Sequence, residues 1–578
     1  MSPLQFSDLP LDIKKTVLSY ILRPEDLKSL CLTSKQIREI VTPQLYRKVL
    51  LFIGGHKDVR VSGLLSQSNP GIQHIRKIYL QLEKTFVPPP LVIEEDSDES
   101  SEGEGELMVE DISGSARQAQ FTVRLLLDFL PNDILETFSW QNWEPFSMDN
   151  WILLLKKQRK LKAIECACVN RPFMPVLEKQ PEILKNLEGA SSLHFYPDNL
   201  DRLQACQKIL QSQPNITELQ LSADRTLADE ITEGLQDSST RPGVITRTIF
   251  SHLMPFDTCT APMILKKLSI DNIDLRYAAD TYMKFIKFSC LESLVIGGCV
   301  GADAVFAQMS KPHLRPTNLE KIRWFHEETS EPHALEAFEG LLDALNKLKI
   351  LHVDLNNIVG LPRAGAIAHH GGTLQSLSVR SRMRHAEIQM YDSEPFDEIC
   401  SNCLELRQLS ITFPPTSVTD AAPSADFKTY LRSCKKLRHL VTINFHRWPS
   451  TTSPFVGRSR NKLKPLWYDL YEHNLQRLAQ QIFVASDENS QEQGWGLGHR
   501  SMLAVIAFGA NGKTSYDEQG HLVKLKQVSF VRGKQVDPFG VTTMMAVKTV
   551  WKMVQFIEPE SDILNHSLYD LHDIHNSP

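Results

Sequence analysis

The chain contains 578 residues, with 63 basic and 69 acidic side chains and a formal net charge of −6. Ten of the acidic residues lie between Lys84 and Arg117, where no basic residue occurs; without them the chain carries 63 basic and 59 acidic side chains, a net charge of +4. This balance excludes a generally acidic solvating protein and a basic nucleic-acid-binding protein. Because 42% of the residues are hydrophobic, the chain can form large cores.

The same composition bears on membrane contact and compartment. No apolar run approaches the ~18 residues that span a bilayer, and the N-terminus lacks the basic region and apolar stretch of a signal peptide. The ten cysteines are scattered, so we expect no disulfide framework. We therefore expect a protein of the reducing cytoplasm or nucleus, with no membrane partner and no nucleic-acid partner.

Residues 6–50 contain the start and cap signals of several short helices. Pro24 marks the start of a second helix after the first apolar-periodic stretch, and Thr33 or Ser34 can cap a third. Pro43 marks the start of a fourth. Four helical segments in under fifty residues form only a small core, and such a unit tends to need a partner or a neighbouring domain.

About a dozen positions of this segment match one known pattern in order and spacing. They are Phe6-x-x-Leu9-Pro10-x-x-Ile13, Leu18-x-x-Ile21, Pro24-x-Asp26-Leu27-x-x-Leu30, Ser34-Lys35 and Leu45-Tyr46. The segment resembles an F-box, which implies docking on a Skp-type adaptor and through it on a cullin scaffold with a ubiquitin-conjugating enzyme. The resemblance also implies the docking or supporting residues: Leu9, Pro10, Ile13, Leu27, Leu30 and Leu45. The alternative is that these side chains only form a local three-helix core.

The rest of the chain repeats one pattern of three apolar residues, spaced apolar-x-x-apolar-x-apolar. Clear copies begin at Leu161, Ile216, Leu265, Leu291, Leu319, Leu348, Leu374, Leu406 and Leu437, and weaker copies begin at Ile75, Ala190 and Leu503. From Leu265 to Leu437 the copies begin 26 to 32 residues apart, at or slightly above the ~20–29-residue period of leucine-rich repeats. The pattern predicts short strands, each followed by a returning helix, whose apolar residues are buried between neighbouring repeats.

The chain therefore resembles an F-box protein with leucine-rich repeats, of the fungal type. The resemblance implies an α/β fold, with an N-terminal helical F-box followed by a leucine-rich-repeat solenoid, a horseshoe with a parallel concave sheet. The predicted ranges are an F-box helical domain over 1–50, a first repeat and junction over 51–87, an acidic disordered insert over 88–117, the solenoid over 118–510 and a C-terminal cap and tail over 511–578. Further expectations are a degenerate repeat within 224–262, an amphipathic helix around 466–483, strands over 523–531 and a helix over 541–555.

The acidic insert contains serines among its carboxylates and too little apolar surface to fold alone. Ser101 lies three residues before Glu104, a spacing typical of acidophilic kinase sites, which makes Ser97 and Ser101 candidates for phosphorylation. The alternative is an inert disordered loop between the first and second repeat strands.

No motif predicts a catalytic, cofactor or metal site. Gly512-Lys513-Thr514 follows a predicted strand, but it lacks both the first glycine of a phosphate loop and the apolar helix after it. Cys400 and Cys403 form the single Cys-x-x-Cys pair, and their place just before a repeat strand favours buried packing over metal binding or redox chemistry. The histidines lack metal-ligand spacing. We expect no cofactor, no metal and no enzymatic activity in the chain itself.

Target binding is expected on the strand residues that alternate with the buried ones, since these face the concave surface. Mixed charge beside an aromatic ring favours one group: Arg323, Phe325, His352, Asp354 and Arg380. The alternative for each residue is a solvated strand exterior. The expected function is the substrate-recognition subunit of an SCF-type cullin ubiquitin ligase that binds an unknown protein target, with catalysis left to the partner enzyme. A non-ligase scaffold that organises another complex is the alternative.

Overall fold

The computed structural model is an α/β protein in which short strands of a mostly parallel sheet alternate with helices. It describes residues 6, 9–21, 24–53, 59–66, 69–82, 105–140, 146–166, 179, 182–197, 200–213, 215–223, 242–250, 262–326, 331, 333–356, 358–382, 389–420, 422–450, 464–488, 502–509, 515–516, 522–523, 527–536, 538–540, 542–549, 554, 557–558 and 563–564. The chain divides into two compact units, Met1–Leu265 and Lys266–Pro578. No helix in these described ranges is both long and apolar enough to cross a membrane.

Unit 1 begins with three helices, α1 (Leu11–Ser19), α2 (Pro24–Cys31) and α3 (Lys35–Tyr46). Their common core is formed by Leu18, Leu27 and Val41. Ser34 caps α3, since its Oγ accepts a hydrogen bond from the Ile37 backbone N–H at 3.1 Å. The predicted fourth helix is wrong: Pro43 lies inside α3, which runs on to Tyr46, and the chain then enters a strand directly.

In the part of unit 1 that the structure describes, the sheet consists of six strands that pair in chain order, each parallel to the next. The strands are β1 (Lys48–Ile53), β2 (Lys77–Leu82), β3 (Thr137–Trp140), β4 (Ala163–Cys166), β5 (Ser192–Phe195) and β6 (Glu218–Ser222). The connecting helices are α4 (Val59–Leu64), α5 (Gly105–Phe129), α6 (Met148–Lys157), α7 (Glu182–Lys185) and α8 (Leu200–Gln211), and α9 (Val244–Ile249) follows β6. Strands β2, β4, β5 and β6 confirm the predicted copies, whereas β1 and β3 were not predicted.

One predicted stretch of unit 1 turns out differently, and a second is described only in part. Helix α5 begins at Gly105, so the end of the range 88–117, predicted as disordered, is helical. The sequence from Leu107 to Ile112 contains apolar residues at helical spacing, which the acidic composition obscured. Within 224–262, where a degenerate repeat was expected, the described residues 242–250 include α9, and the stretches 224–241 and 251–261 lie outside the described residues.

The described residues of unit 2 show the same alternation, with eight parallel strands in chain order followed by an antiparallel hairpin. The parallel strands are β7 (Lys267–Asp271), β8 (Ser293–Gly297), β9 (Lys321–His326), β10 (Ile350–Asn356), β11 (Ser376–Arg382), β12 (Gln408–Ile411), β13 (Thr442–Phe445) and β14 (Val505–Phe508). The short β15 (Ser515–Tyr516) and β16 (Leu522–Val523) pair with each other, and β17 (Val528–Val536) and β18 (Thr542–Thr549) form the hairpin. The helices are α10 (Ala279–Phe285), α11 (Ala302–Met309), α12 (Ala334–Ala344), α13 (Ala364–Ala368), α14 (Ser393–Asn402), α15 (Ala425–Cys434) and α16 (Lys464–Glu488).

Aromatic packing fixes the register of the strands in unit 2. The predicted copy beginning at Leu437 is displaced by three residues, because β13 pairs with β12 so that the pattern begins at Leu440. This register places Phe445 in the core, with ring centroids 4.7 Å from Phe413 and 5.3 Å from Phe508. The predicted alternative would put Thr442 in the place of an aromatic ring.

The end of unit 2 is a strand where a helix was expected. Residues 541–555 were predicted to be helical, but Thr542–Thr549 form β18, which pairs with β17 over its whole length. Gly540 supplies a positive φ of 82° in the connecting turn. Helix α16 confirms the predicted amphipathic helix, and its Gln476 Nε2 donates to the carbonyl oxygen of Ala546 at 2.7 Å. The hairpin is thus held against α16.

Candidate functional site

The exposed side of α1 carries an apolar stripe. Ile13 and Val17 lie one helical turn apart and are 48% and 44% exposed, and Tyr20 continues the line at the end of the helix. Pro10, just before the helix, is also exposed. Residues three and four positions apart lie on the same side of a helix, so these four form one surface. Exposed apolar residues grouped on a small helical unit mark an interaction surface.

The six residues that the F-box resemblance implies fall into two groups. Pro10 and Ile13 are exposed on the stripe, where a partner can reach them. Leu27 is buried in the three-helix core, and Leu9, Leu30 and Leu45 are half-buried; Leu30 and Leu45 pack against that core. The first group suits docking and the second suits support of the docking surface.

The five residues predicted to bind a target lie together on three adjacent strands of unit 2. Arg323 of β9 is the register partner of His352 of β10. In the next row towards the strand ends, Phe325, Asp354 and Arg380 are consecutive partners across β9, β10 and β11. We call the side of the unit 2 sheet that carries these rows the polar face.

Burial divides these five residues. Arg323, His352 and Arg380 are only 4%, 5% and 9% exposed, so they are not solvated strand exteriors. Phe325 and Asp354 are half-buried and offer both an aromatic ring and a carboxylate to solvent. Asp354 and Arg380 form an ion pair with 3.9 Å between Oδ2 and Nη1. A partner on this face therefore meets Phe325 and Asp354 first, supported by the buried cations.

His352 belongs to a chain of buried hydrogen bonds. Its Nε2 lies 3.1 Å from Ser376 Oγ, and that hydroxyl donates to Gln408 Oε1 at 3.3 Å. Since the hydroxyl proton points to Gln408, Ser376 accepts from a protonated Nε2. Burial lowers the pKa of His352 well below its ordinary value, and the charges of Arg323 and Lys321 lower it further. His352 is thus a neutral imidazole with its proton on Nε2.

The row that contains Phe325 also depends on a glycine. Asp271 Oδ1 of β7 lies where the Cβ of any larger residue at Gly297 would stand. Asp271 and Gly297 are register partners, and Gly297 is in turn the partner of Phe325. The absence of a side chain at Gly297 therefore leaves room for a buried carboxylate beside the ring of the predicted site.

A serine–histidine pair escaped detection in the sequence. Ser410 Oγ of β12 lies 2.6 Å from His446 Nε2, and Asn444 Nδ2 donates to the same hydroxyl at 2.9 Å. Gln527 Nε2 donates in turn to Asn444 Oδ1 at 3.1 Å. Ser410 is fully buried, so its hydroxyl is placed to join β12 to β13 rather than to attack a substrate. Only the register of the strands brings together residues 36 positions apart.

The cysteines singled out in the sequence are buried in the core. Cys400 and Cys403 lie at the end of α14, and Cys434 ends α15. Burial raises the pKa of the Cys403 thiol to about 12, which keeps it protonated at neutral pH. The predicted packing role is confirmed, because a buried protonated thiol is a small apolar group.

Several predicted features lie outside the described residues, namely Ser97, Ser101 and the Gly512-Lys513-Thr514 turn. Among the residues that the structure does describe, no three metal-ligating side chains come together. No family model matches the chain, and comparison with curated proteins gives no significant match.

Proposed function

We propose that the chain is the substrate-recognition subunit of an SCF-type ubiquitin ligase, built as an F-box followed by leucine-rich repeats. The observation that carries the proposal is the apolar stripe on α1 within a segment that has the spacing of an F-box. Ile13 belongs both to the F-box pattern and to the exposed stripe. Its exposure gives an adaptor a hydrophobic surface that the small three-helix core does not use.

The polar face of unit 2 supports the second half of the proposal. Repeated parallel strands create an extended surface on which many residues can contact one partner. The half-buried Phe325 and Asp354 are held in fixed positions by buried neighbours, and such rigid anchors lose little conformational entropy on binding. The ligase chemistry is left to the enzyme that the cullin carries, which acts by proximity.

The test is binding of the purified full-length chain to a Skp-type adaptor. Ile13→Asp places a charge in the apolar stripe and should abolish the complex in size-exclusion chromatography, because a desolvated, unpaired carboxylate is costly at an interface. Lys15→Asp changes an exposed residue on the opposite side of α1 and serves as the matched control. It should leave the complex intact.

The outcomes separate this proposal from the scaffold alternative. Failure of the wild-type chain to bind the adaptor, or equal binding by both variants, would refute the adaptor-binding role. Binding of the adaptor without recruitment of cullin would favour a scaffold that organises another complex. Reconstitution with adaptor and cullin in one mixture distinguishes these results.

A further inference from the structure

The chain beyond β18 returns to the polar face of the last parallel strands. Val554, Ile563 and Leu564 are buried in one apolar cluster with Val505 and Ala507 of β14. Val505 and Ala507 are not core-face residues, since the alternate positions Ile506 and Phe508 face the core and carry the aromatic packing. We call the described residues 554, 557–558 and 563–564 the C-terminal segment.

The register shows that this segment lies on the same face as the predicted target site. Ala507 is the partner of Asn444 in β13, which is the partner of Ser410 in β12. Ser410 is the partner of Ser378, and Ser378 is the partner of His352. One continuous row of side chains therefore leads from the C-terminal segment to the predicted site.

An ion pair between the exposed Arg407 and the buried Glu558 anchors the segment two strands further along. Arg407, immediately before β12, places its Nη2 3.2 Å from Glu558 Oε2. Glu558 is 2% exposed, and a carboxylate is buried at this depth only when a cation and hydrogen bonds compensate for its lost hydration. The Glu558 backbone N–H donates to the Val554 carbonyl at 2.9 Å, and this hydrogen bond ties the residue that carries the carboxylate to the aliphatic contacts.

The chemistry of this part of the polar face differs from that of β9–β11. Around Arg323 and Arg380 the face is charged, whereas at β14 it offers the aliphatic Val505 and Ala507, and the guanidinium of Arg407 reaches the same segment through Glu558. An aliphatic patch with a guanidinium within reach of the same segment complements a peptide segment that has a few aliphatic residues and a carboxylate. The C-terminal segment has that composition.

We propose that Arg407, Val505 and Ala507 form a docking site for an acidic, aliphatic segment of the target protein, and that the C-terminal segment occupies this site until the target displaces it. The proposal rests on the proposed role as a substrate receptor and adds the chemical class of what is recognised. A segment tethered in the same chain competes at an effective concentration in the millimolar range. A target therefore displaces it only when it gains further contacts elsewhere, for which Phe325 and Asp354 are placed on the same face.

The site can be tested with a fluorescent synthetic peptide of residues 551–566 and the purified full-length chain, with binding followed by anisotropy. Glu558→Arg repels Arg407 and opens the site, so the variant should bind the peptide at least tenfold more tightly than the wild type. Arg407→Glu also releases the segment, but it should bind only a peptide in which Glu558 is replaced by Arg. Peptides with serine at Val554, Ile563 and Leu564 serve as controls and should not bind either variant.

Hydrogen exchange of the wild-type chain makes the same test without a substitution. Peptide supplied well above the millimolar effective concentration of the tethered segment should raise exchange of residues 554–564 at least tenfold and leave β7–β10 unchanged. Unchanged exchange of residues 554–564, or equal binding of both peptides by both variants, would overturn the proposal. Neither measurement uses an adaptor. A negative result here would therefore refute the docking site alone, whereas the Ile13→Asp test decides the adaptor-binding role.

Discussion

The stability of unit 2 should fall in mild acid because of a buried histidine. His370 follows α13 and is buried, with its ring centroid 5.3 Å from that of His369. Burial, together with the charge of the neighbouring His369, lowers the pKa of His370 to about 4, although the backbone of Leu342 and the charge of Asp343 oppose these effects. The imidazole is therefore neutral in the folded protein at every pH above about 4.

The sign and size of the effect follow from linkage. In the unfolded chain the ordinary pKa is about 6.5, so between pH 6.5 and 4 the unfolded state binds a proton that the folded state does not. The free energy of unfolding therefore falls as the pH drops through this window. At about 1.4 kcal/mol per unit of pKa difference, the loss from this residue at pH 5 reaches up to about 2 kcal/mol.

Urea unfolding at pH 7.5 and pH 5.0 measures this loss. His370→Gln removes the titrating group, so the difference in unfolding free energy between the two pH values should shrink by up to about 2 kcal/mol. His333→Gln is the control, because the side chain of His333 is solvent-exposed. An identical pH dependence in His370→Gln and the wild type would refute the reasoning.

Two further predictions compare paired substitutions in unit 2, each by urea unfolding at pH 7.5. Trp324→Ala should lower the free energy of unfolding by about 3–5 kcal/mol, because the buried Trp324 ring lies with its centroid 4.7 and 5.2 Å from those of two phenylalanine rings. Phe539→Ala removes a ring that is 91% exposed and should change the free energy of unfolding by less than about 0.5 kcal/mol. Gly301→Ala should cost about 1–3 kcal/mol, because φ is 84° and a Cβ would collide with the backbone of Arg276. Gly340→Ala, in α12 with open space around it, should gain about 0.5–1 kcal/mol. Equal changes in the free energy of unfolding within either pair would contradict this packing.

Most strands could be predicted because each leaves three apolar residues at fixed spacing. The strands that were not predicted, or were predicted wrongly, have physical causes. Strand β1 begins directly after α3, so Tyr46, the first residue of its pattern, had already been assigned to the helical segment. For β13 the residues offer two overlapping copies of the pattern, and only the contact of Phe445 with rings from neighbouring strands selects one. Strand β18 contains Met544 and Met545, which favour a helix locally, but pairing with β17 overrides that preference.

The position of the candidate site could be predicted from the sequence, but the burial and contacts of its side chains could not. Alternation along a strand places Arg323 and His352 on one face, and parallel pairing makes them neighbours. Their burial depends on side chains far away in the sequence, as does the cover over Val505, which comes from residues some fifty positions later. Sequence spacing carries no information about such contacts, because the solenoid-like order of the strands ends at β14 and the chain then folds back.

The hydrogen-bond chain through Ser376 provides a last test of the polar face. Ser376→Ala removes the acceptor of the His352 Nε2–H, and the loss of a buried partner costs about 1–3 kcal/mol in unfolding free energy. Ser378→Ala, the same change two positions along β11 at a half-buried site, should cost less than about 0.5 kcal/mol. Because burial and the nearby cations keep the pKa of His352 well below its ordinary value, His352 stays neutral in the folded state, and the cost of Ser376→Ala should be the same at pH 8 and pH 6. A cost that rose as the pH fell through 6.5 would mean that the folded protein holds His352 as an imidazolium, and the polar face would then present an additional positive charge to any acidic partner.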